Sequence, residues 1–237
     1  MGYICAQRPK QGIAKMTDSR VRIWDLPTRL FHWTLAALVV FSIVTANIGG
    51  NWVQWHFYSG YAILTLIAFR LAWGFAGGRY ARFSSFLFGP SAILATLRGA
   101  PGAPRTPGHN PLGSLSVFAL LASIGVQAAI GLFANDDIAS EGPLAKFVSK
   151  ALSDRLTSLH HQNADLIVAL VVLHLLAIAF YLLRKRENLV RPMLTGDKPG
   201  VEPRLASRDD ATLRLRALAV LAVCAAAVWW LVGVLAK

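Results

Sequence analysis

Long apolar stretches alternate with more polar segments from residue 30 to the end of the chain. Five of these stretches cover residues 30–48, 53–76, 112–133, 161–183 and 217–236. Each is close to the roughly 20 residues that an α-helix needs to cross a bilayer. The pattern therefore predicts an all-α integral membrane protein with five transmembrane helices.

The connecting segments differ in charge, and this difference predicts the orientation of the chain. Six Lys and Arg residues precede the first stretch, four lie between the second and third, and nine lie between the fourth and fifth. The segment between the first and second has none, and the one between the third and fourth has three bases against four acids. Because basic loops tend to stay in the cytoplasm, we expect the N-terminus inside and the C-terminus outside.

The outer segment before the fourth stretch carries a second periodic signal. Apolar residues from Leu144 to Leu159 recur at helical spacing. They predict a short amphipathic helix that lies on the outer face of the membrane.

Composition excludes several other classes of protein. Apolar types make up 55% of the 237 residues and charged types only 15%, whereas soluble domains carry about a quarter charged residues. An ordinary cytosolic enzyme and a disordered chain are thereby excluded. Cys5 and Cys224 lie at opposite ends of the chain and are not expected to pair, which excludes a disulfide scaffold. The net charge of +12 is explained by topology and anionic lipid, so no nucleic-acid partner is expected.

Histidines are the main chemical signal within the apolar stretches. His160 and His174 are fourteen residues apart, which on a helix is about 40° short of four full turns and about 21 Å of rise. His161 would be about 140° out of line with His174. His160 and His174 thus share one helix face, at the outer and inner levels. By the direction of the first two helices, His32 lies at the inner level and His56 at the outer one.

Two facing histidines at each of two levels suit two six-coordinate haems, since neutral imidazole is a good axial ligand for iron. Zinc is the weaker alternative, because it would need four converging ligands. Gly60 and Ala164 each follow an outer histidine by four residues and leave room for a flat macrocycle, although ordinary helix contacts would also explain them.

Several motifs follow one another along the chain: VRIWDLPTRLFHW at 21–33, WHFYSGY at 55–61, Arg70 with WGF at 73–75, GHNPLG at 108–113, and His160 with Ala164 and His174. In this order they resemble the bacterial cytochrome b561 family, which includes the b-type cytochrome subunits of membrane nickel-iron hydrogenases. The resemblance covers roughly residues 20–198. It implies a four-helix bundle with two non-covalent b haems on the same four histidines, electron exchange with quinone, and often a redox partner on the outer face. Most members end after four spans, so the role of the fifth is open.

Polar residues near the inner ends of the helices supply further candidates. Arg70 and Arg29 are predicted to bind haem propionates, with snorkelling to lipid phosphate as the alternative. His109 and Asn110 cover the inner haem or a quinone in one interpretation and form a plain loop turn in the other. Asp165, within the fourth stretch, serves a proton path or a hydrogen bond inside the bundle, and the sequence does not choose between them.

These observations together predict a fold class and a division of the chain. We expect a four-helix transmembrane haem-binding bundle with an additional C-terminal transmembrane helix. Residues 1–19 form a cytoplasmic tail, 20–198 the di-haem membrane domain, and 199–237 a basic cytoplasmic linker with the fifth helix.

The predicted function is electron transfer by a di-haem b-type cytochrome in the bacterial inner membrane. It connects the quinone pool with a periplasmic partner such as a hydrogenase, another dehydrogenase or a c-type cytochrome. One alternative is a stand-alone quinone-linked oxidoreductase that acts on superoxide or a metal ion at the outer haem. Another is a transporter that uses the histidines for protons.

Overall fold

The computed structural model describes residues 20–100, 106–138 and 140–235. The predicted cytoplasmic tail, Cys5 and the C-terminal Lys237 lie outside the described residues. Five described helices are long and apolar enough to cross a membrane, as the sequence predicted. They are α1 (Leu26–Ile48), α2 (Val53–Ala76), α4 (Pro111–Gly131), α5 (Lys150–Arg184) and α7 (Ala211–Trp230).

Shorter elements connect the long helices. Two are helices, α3 (Pro90–Leu97) and α6 (Val190–Thr195), and two are paired antiparallel strands, β1 (Val21–Arg22) and β2 (Asp197–Lys198). Single 3-10 turns cover Gly50–Trp52, Phe83–Ser85, Ala145–Phe147 and Pro203–Leu205, and a π turn covers Leu231–Leu235.

Side-chain caps explain where four of the long helices begin. Asp25, Asn110, Ser149 and Asp210 each accept a hydrogen bond from the backbone N–H three residues ahead, which satisfies one donor that the first turn leaves unpaired. The tight connection from α1 to α2 is made by Gly49 and Gly50, whose φ angles are +69° and +56°. Glycine suits this turn because it enters the left-handed region without steric cost.

The helices pack around α2. It contacts α1, α4 and α7, and α4 in turn contacts α5. The apolar core cluster takes residues from all five long helices, with Trp73 of α2 fully buried within it. Large apolar side chains on the outer faces, such as Val40 and Leu176, are exposed, as lipid-facing positions require.

The two ends of the bundle differ in charge. We name the end at which α1 begins the basic end, and the end at which α1 finishes the acidic end, because Asp136, Asp137 and Glu141 lie in the connection there. The predicted separate amphipathic helix at the acidic end is wrong. Ser149 caps a helix that begins at Lys150 and runs unbroken for 35 residues. No glycine or proline interrupts it, so the apolar residues from Ala151 to Leu159 belong to the first turns of α5, while Leu144 and Phe147 lie in the connection before it.

Asp209 ties the start of α7 to the start of α1 at the basic end. Its carboxylate accepts a hydrogen bond from the Leu26 N–H at 3.1 Å and pairs with Arg22, Arg29 and Arg214. Burial alone would raise the pKa of Asp209. The pKa is lowered instead, because burial is outweighed by the hydrogen bonds from Arg214 and Leu26 and by the positive charges of Arg214 and Arg22.

Candidate functional site

The structure brings His56 of α2 and His160 of α5 together at the acidic end. Their ring centroids are 6.1 Å apart and the ring planes are nearly perpendicular, at 87°. His56 Nδ1 donates to the Ser42 carbonyl at 3.0 Å and also lies 3.0 Å from the Ser42 hydroxyl oxygen, and His160 Nδ1 donates to the Gln127 carbonyl at 3.1 Å. Because a carbonyl oxygen only accepts, both rings carry their proton on Nδ1 and keep the Nε2 lone pair for a metal.

His32 of α1 and His174 of α5 form a second pair towards the basic end. Their ring centroids are 6.5 Å apart, with an angle of 51° between the planes. His32 Nδ1 is buried and has no hydrogen-bond partner among the described residues. The two pairs are therefore similar in separation but differ in how the rings are held.

Both separations fit one metal ion with two imidazole ligands on opposite sides. A metal–nitrogen bond of about 2 Å and the half-width of each ring would place the two centroids about 6 Å apart. Among the described residues no three His, Cys, Asp or Glu side chains converge on one point. The donor set is thus two imidazoles at each level, which is the axial set of a six-coordinate haem.

A cavity of about 640 Å³ adjoins the His56–His160 pair. Gly60 and Ala164 line it, and a Cβ atom placed on Gly60 would meet nothing within 4 Å. The space beside these small residues suits a flat macrocycle. Asp136 and Asp165 also line the cavity, while no Lys or Arg among the described residues does so.

His161 is placed differently from its neighbour. It is exposed and also lines the cavity, but the ring contact with His56 is made by His160. His160 and His161 differ in this way because only His160 lies on the same face of α5 as His174.

Arg70 is buried in α2 near the basic end. Its side chain is 4% exposed, and its guanidinium lies 4.7 Å from the centroid of the Phe83 ring. Its Nη1 is buried without a hydrogen-bond partner among the described residues. Snorkelling to lipid does not fit this burial. A buried cation with an unused donor fits an anionic group such as a haem propionate.

Arg29 has more of its donors occupied. Its Nη1 donates to the Leu194 carbonyl at 2.6 Å, and its Nη2 lies 3.8 Å from Asp209. Its Nε is buried and unpartnered. Its role at a propionate stays a prediction, with Arg70 the stronger candidate.

Unpartnered buried polar atoms concentrate at the basic end. Among the described residues, the buried side-chain polar atoms without a hydrogen-bond partner belong to Thr28, Arg29, His32, Arg70, Trp73, His109 and Ser207. Buried polar groups normally find partners. Their presence here fits a bound group with its own polar atoms, as a haem has in its propionates.

His109 and Asn110 have local structural roles. Thr106 and His109 close a turn through mutual hydrogen bonds, and the His109 ring contacts Phe86 at 4.2 Å between centroids. Burial, and secondarily the charge of Arg70, lowers the pKa of His109 to about 3. Asn110 caps α4 and donates to the Tyr181 hydroxyl at 2.6 Å. Both residues thus have turn or cap roles, and their covering of the inner haem or a quinone stays a prediction.

The sequence analysis missed Asn163 and Ser42. Asn163 lies three residues after His160 and bonds to α4, and Ser42 supplies the carbonyl that holds His56. An amide within an apolar stretch, one helical turn from a candidate ligand, was the available signal for Asn163. The Ser42 carbonyl leaves no signal in the sequence, but the Ser42 hydroxyl, a polar group within an apolar stretch that also contacts His56 Nδ1, does.

Five apolar helices with paired histidines at two levels define a membrane protein of the b-type cytochrome class. The chain belongs to the prokaryotic cytochrome b561 family, whose family model matches residues 23–196. Comparisons with curated proteins and with solved structures gave no match. The family is one of multi-pass membrane cytochromes that bind b-type haem and transfer electrons. Helix α7 lies outside the matched residues.

Proposed function

We propose that the protein is a di-haem cytochrome that passes electrons between a redox partner at the acidic end and the quinone pool. The observation that carries this proposal is the presence of two His–His pairs at two levels, with ring centroids 6.1 and 6.5 Å apart. His56 and His160 ligate one haem and His32 and His174 the other. The haems supply reversible one-electron chemistry when they are bound.

The residues of the chain orient and insulate these groups. The Ser42 and Gln127 carbonyls bind Nδ1 of the two acidic-end histidines, which would leave Nε2 of each ring to hold the iron of a haem. Arg70, and after it Arg29, bind propionates at the basic end. The exposed apolar faces of the helices contact the membrane lipid.

The basic end is proposed to face the cytoplasm of a bacterial inner membrane, with the N-terminus inside and the C-terminus outside. The acidic end then faces the periplasm, where a hydrogenase, another dehydrogenase or a c-type cytochrome exchanges electrons. An electron that crosses the whole membrane experiences about 2.3 kcal/mol per 100 mV of membrane potential. An electron that moves between the two haem levels therefore crosses part of the membrane potential.

The test uses purified full-length protein in quinone-free phospholipid vesicles. We expect two haems per chain by pyridine haemochrome assay, a low-spin spectrum, and reduction of both haems by an added quinol in stopped-flow measurements. Protein without a haem band would overturn the proposal in favour of a histidine-based transporter. Haems that neither a quinol reduces nor a quinone oxidises would overturn the assignment of quinone.

A second candidate is a stand-alone oxidoreductase that acts on a small species at the acidic-end haem. The cavity beside His56 and His160 supports it, because Asp136 and Ser140 of the connection between α4 and α5 belong to its lining. The negative charge of the carboxylates in the cavity disfavours an anion such as superoxide and favours a metal cation. This candidate would be favoured if a metal ion alone oxidised or reduced the haem at least as fast as the native soluble partner does.

A further inference from the structure

Three polar side chains of α4 and α5 form a hydrogen-bonded group next to His160. Asn163 of α5 donates from Nδ2 to the Ser123 carbonyl at 2.9 Å and to Gln127 Oε1 at 2.8 Å. The Ser123 hydroxyl donates back to Asn163 Oδ1 at 2.9 Å. We name Ser123, Gln127 and Asn163 the amide triad. All the hydrogen-bonding groups of the Asn163 amide are in use.

The amide triad connects α4 and α5 next to a haem ligand. Asn163 lies one helical turn after His160, and Gln127 is also the residue whose carbonyl accepts from His160 Nδ1. An unpaired amide in a membrane would be costly, so these bonds favour one register of α4 against α5. That register places the Gln127 carbonyl against the imidazole.

The hydrogen bond changes the ligand electronically. A carbonyl that accepts from the ring N–H increases the basicity of the opposite nitrogen. A more basic ligand stabilises oxidised iron relative to reduced iron and lowers the reduction potential. His56 has the same kind of partner in the Ser42 carbonyl, whereas Nδ1 of His32 has none among the described residues.

We propose that the amide triad positions His160 so that the acidic-end haem has the lower potential of the two, which makes electron flow from the acidic end to the basic end downhill. This inference rests on the proposed function. Nearby charges act in the same direction. Asp136 and Asp165 line the acidic-end cavity and favour the oxidised haem, and buried Arg70 favours the reduced haem at the basic end.

The test is a potentiometric titration of purified full-length protein, with the acidic-end component identified as the one lost in His160→Ala. In the native chain this component is expected at the lower potential. In Asn163→Leu the ratio of reduced to oxidised acidic-end haem is expected to rise about tenfold at a fixed ambient potential. For a one-electron couple this is an increase of about 59 mV in the reduction potential. The other component and the haem content stay unchanged, while the low-spin ferric electron paramagnetic resonance signal of the acidic-end haem shifts.

Gln162→Leu is the matched control. Gln162 is the adjacent residue, it is exposed, and its amide bonds only to the Ser158 hydroxyl among the described residues. Both components are expected to keep their potentials in this variant. Ser123→Ala removes one bond of the amide triad with little change in volume and is expected to shift the same component by a smaller amount. If Asn163→Leu does not fold, the potential measured for Ser123→Ala tests the role of the amide triad.

The outcomes separate this inference from the proposed function. If His160→Ala retained both haems, the ligand assignment itself would fail. If the assignment held but the acidic-end haem had the higher potential, the direction of electron flow would be overturned. Unmoved potentials in both Asn163→Leu and Ser123→Ala would overturn the positioning role of the amide triad.

Discussion

Gly131 of α4 lies against the His160 ring, and replacing it with alanine tests whether that ring must stay where it is. A Cβ atom at position 131 would lie 2.8 Å from Cε1 and 3.2 Å from Nδ1 of His160. Carbon atoms in contact prefer about 3.5–4.0 Å, so the ring or the helix must move by about 0.7–1.2 Å. The only other partner that constrains the ring from α4 among the described residues is the Gln127 carbonyl.

The expected magnitude follows from the cost of overpacking. Inserting a methyl group into a packed site costs about 1–3 kcal/mol. In the haem-free chain the imidazole can turn away, so the strain falls mainly on the bound state. At about 1.4 kcal/mol per tenfold, the Gly131→Ala variant should bind the acidic-end haem about fivefold to 140-fold more weakly.

The assay is the ratio of haem to protein in the purified variant, followed as the protein is diluted in detergent. Gly131→Ala is expected to lose one haem component during dilution and to keep the other. Gly125→Ala is the matched control on the same helix, since its Cβ would make an ordinary 3.5 Å contact with Ile67. Equal retention of both haems in the two variants would refute the reasoning about His160.

Three further predictions concern the basic end. Arg70→Leu should lower the potential of the basic-end haem, because a buried positive charge that favours the reduced form is lost; a redox titration with both potentials unmoved would contradict this. Asp209→Asn should lower the free energy of unfolding in detergent by about 1–3 kcal/mol at neutral pH. Because the pKa of Asp209 is lowered by folding, its contribution is present above the unfolded value of about 3.9 and is lost as the pH falls through the folded value. A difference from the native chain that persists at lower pH would argue against the ion pairs. His109→Phe should flatten the loss of thermal stability between pH 6.5 and about 3, because the unfolded chain takes up a proton there that folded His109, with its pKa of about 3, does not. Parallel stability curves for the native chain and the variant would contradict that assignment.

The helical arrangement could be predicted because membrane spans depend on local composition. The five spans follow from apolar length alone, and the structure differs mainly at their ends, where caps decide. Asp25 and Asp210 extend α1 and α7 by four and six residues beyond the apolar stretches. The separate helix before the fourth span was wrong because a periodic apolar pattern does not distinguish a surface helix from the first turns of a longer one.

The histidine pairs were accessible to sequence reasoning because residues on one helix keep a fixed phase. The fourteen-residue spacing of His160 and His174 selected the residue that the structure turns towards His56. The contacts that hold the rings were not accessible. They involve the Ser42 and Gln127 carbonyls, which depend on how α1 and α4 pack and which every residue possesses. The tether at Asp209 joins residues 183 positions apart and has no local pattern.

The most direct test of the two-haem assignment is the haem content of the neighbouring variants His160→Ala and His161→Ala. The two changes remove the same group from adjacent residues at the same depth, so differences in expression or membrane insertion are minimal. The pyridine haemochrome assay should give one haem per chain for His160→Ala, and two for His161→Ala and for the native protein. Loss of a haem from His161→Ala, with both retained in His160→Ala, would contradict the pairing of His160 with His56.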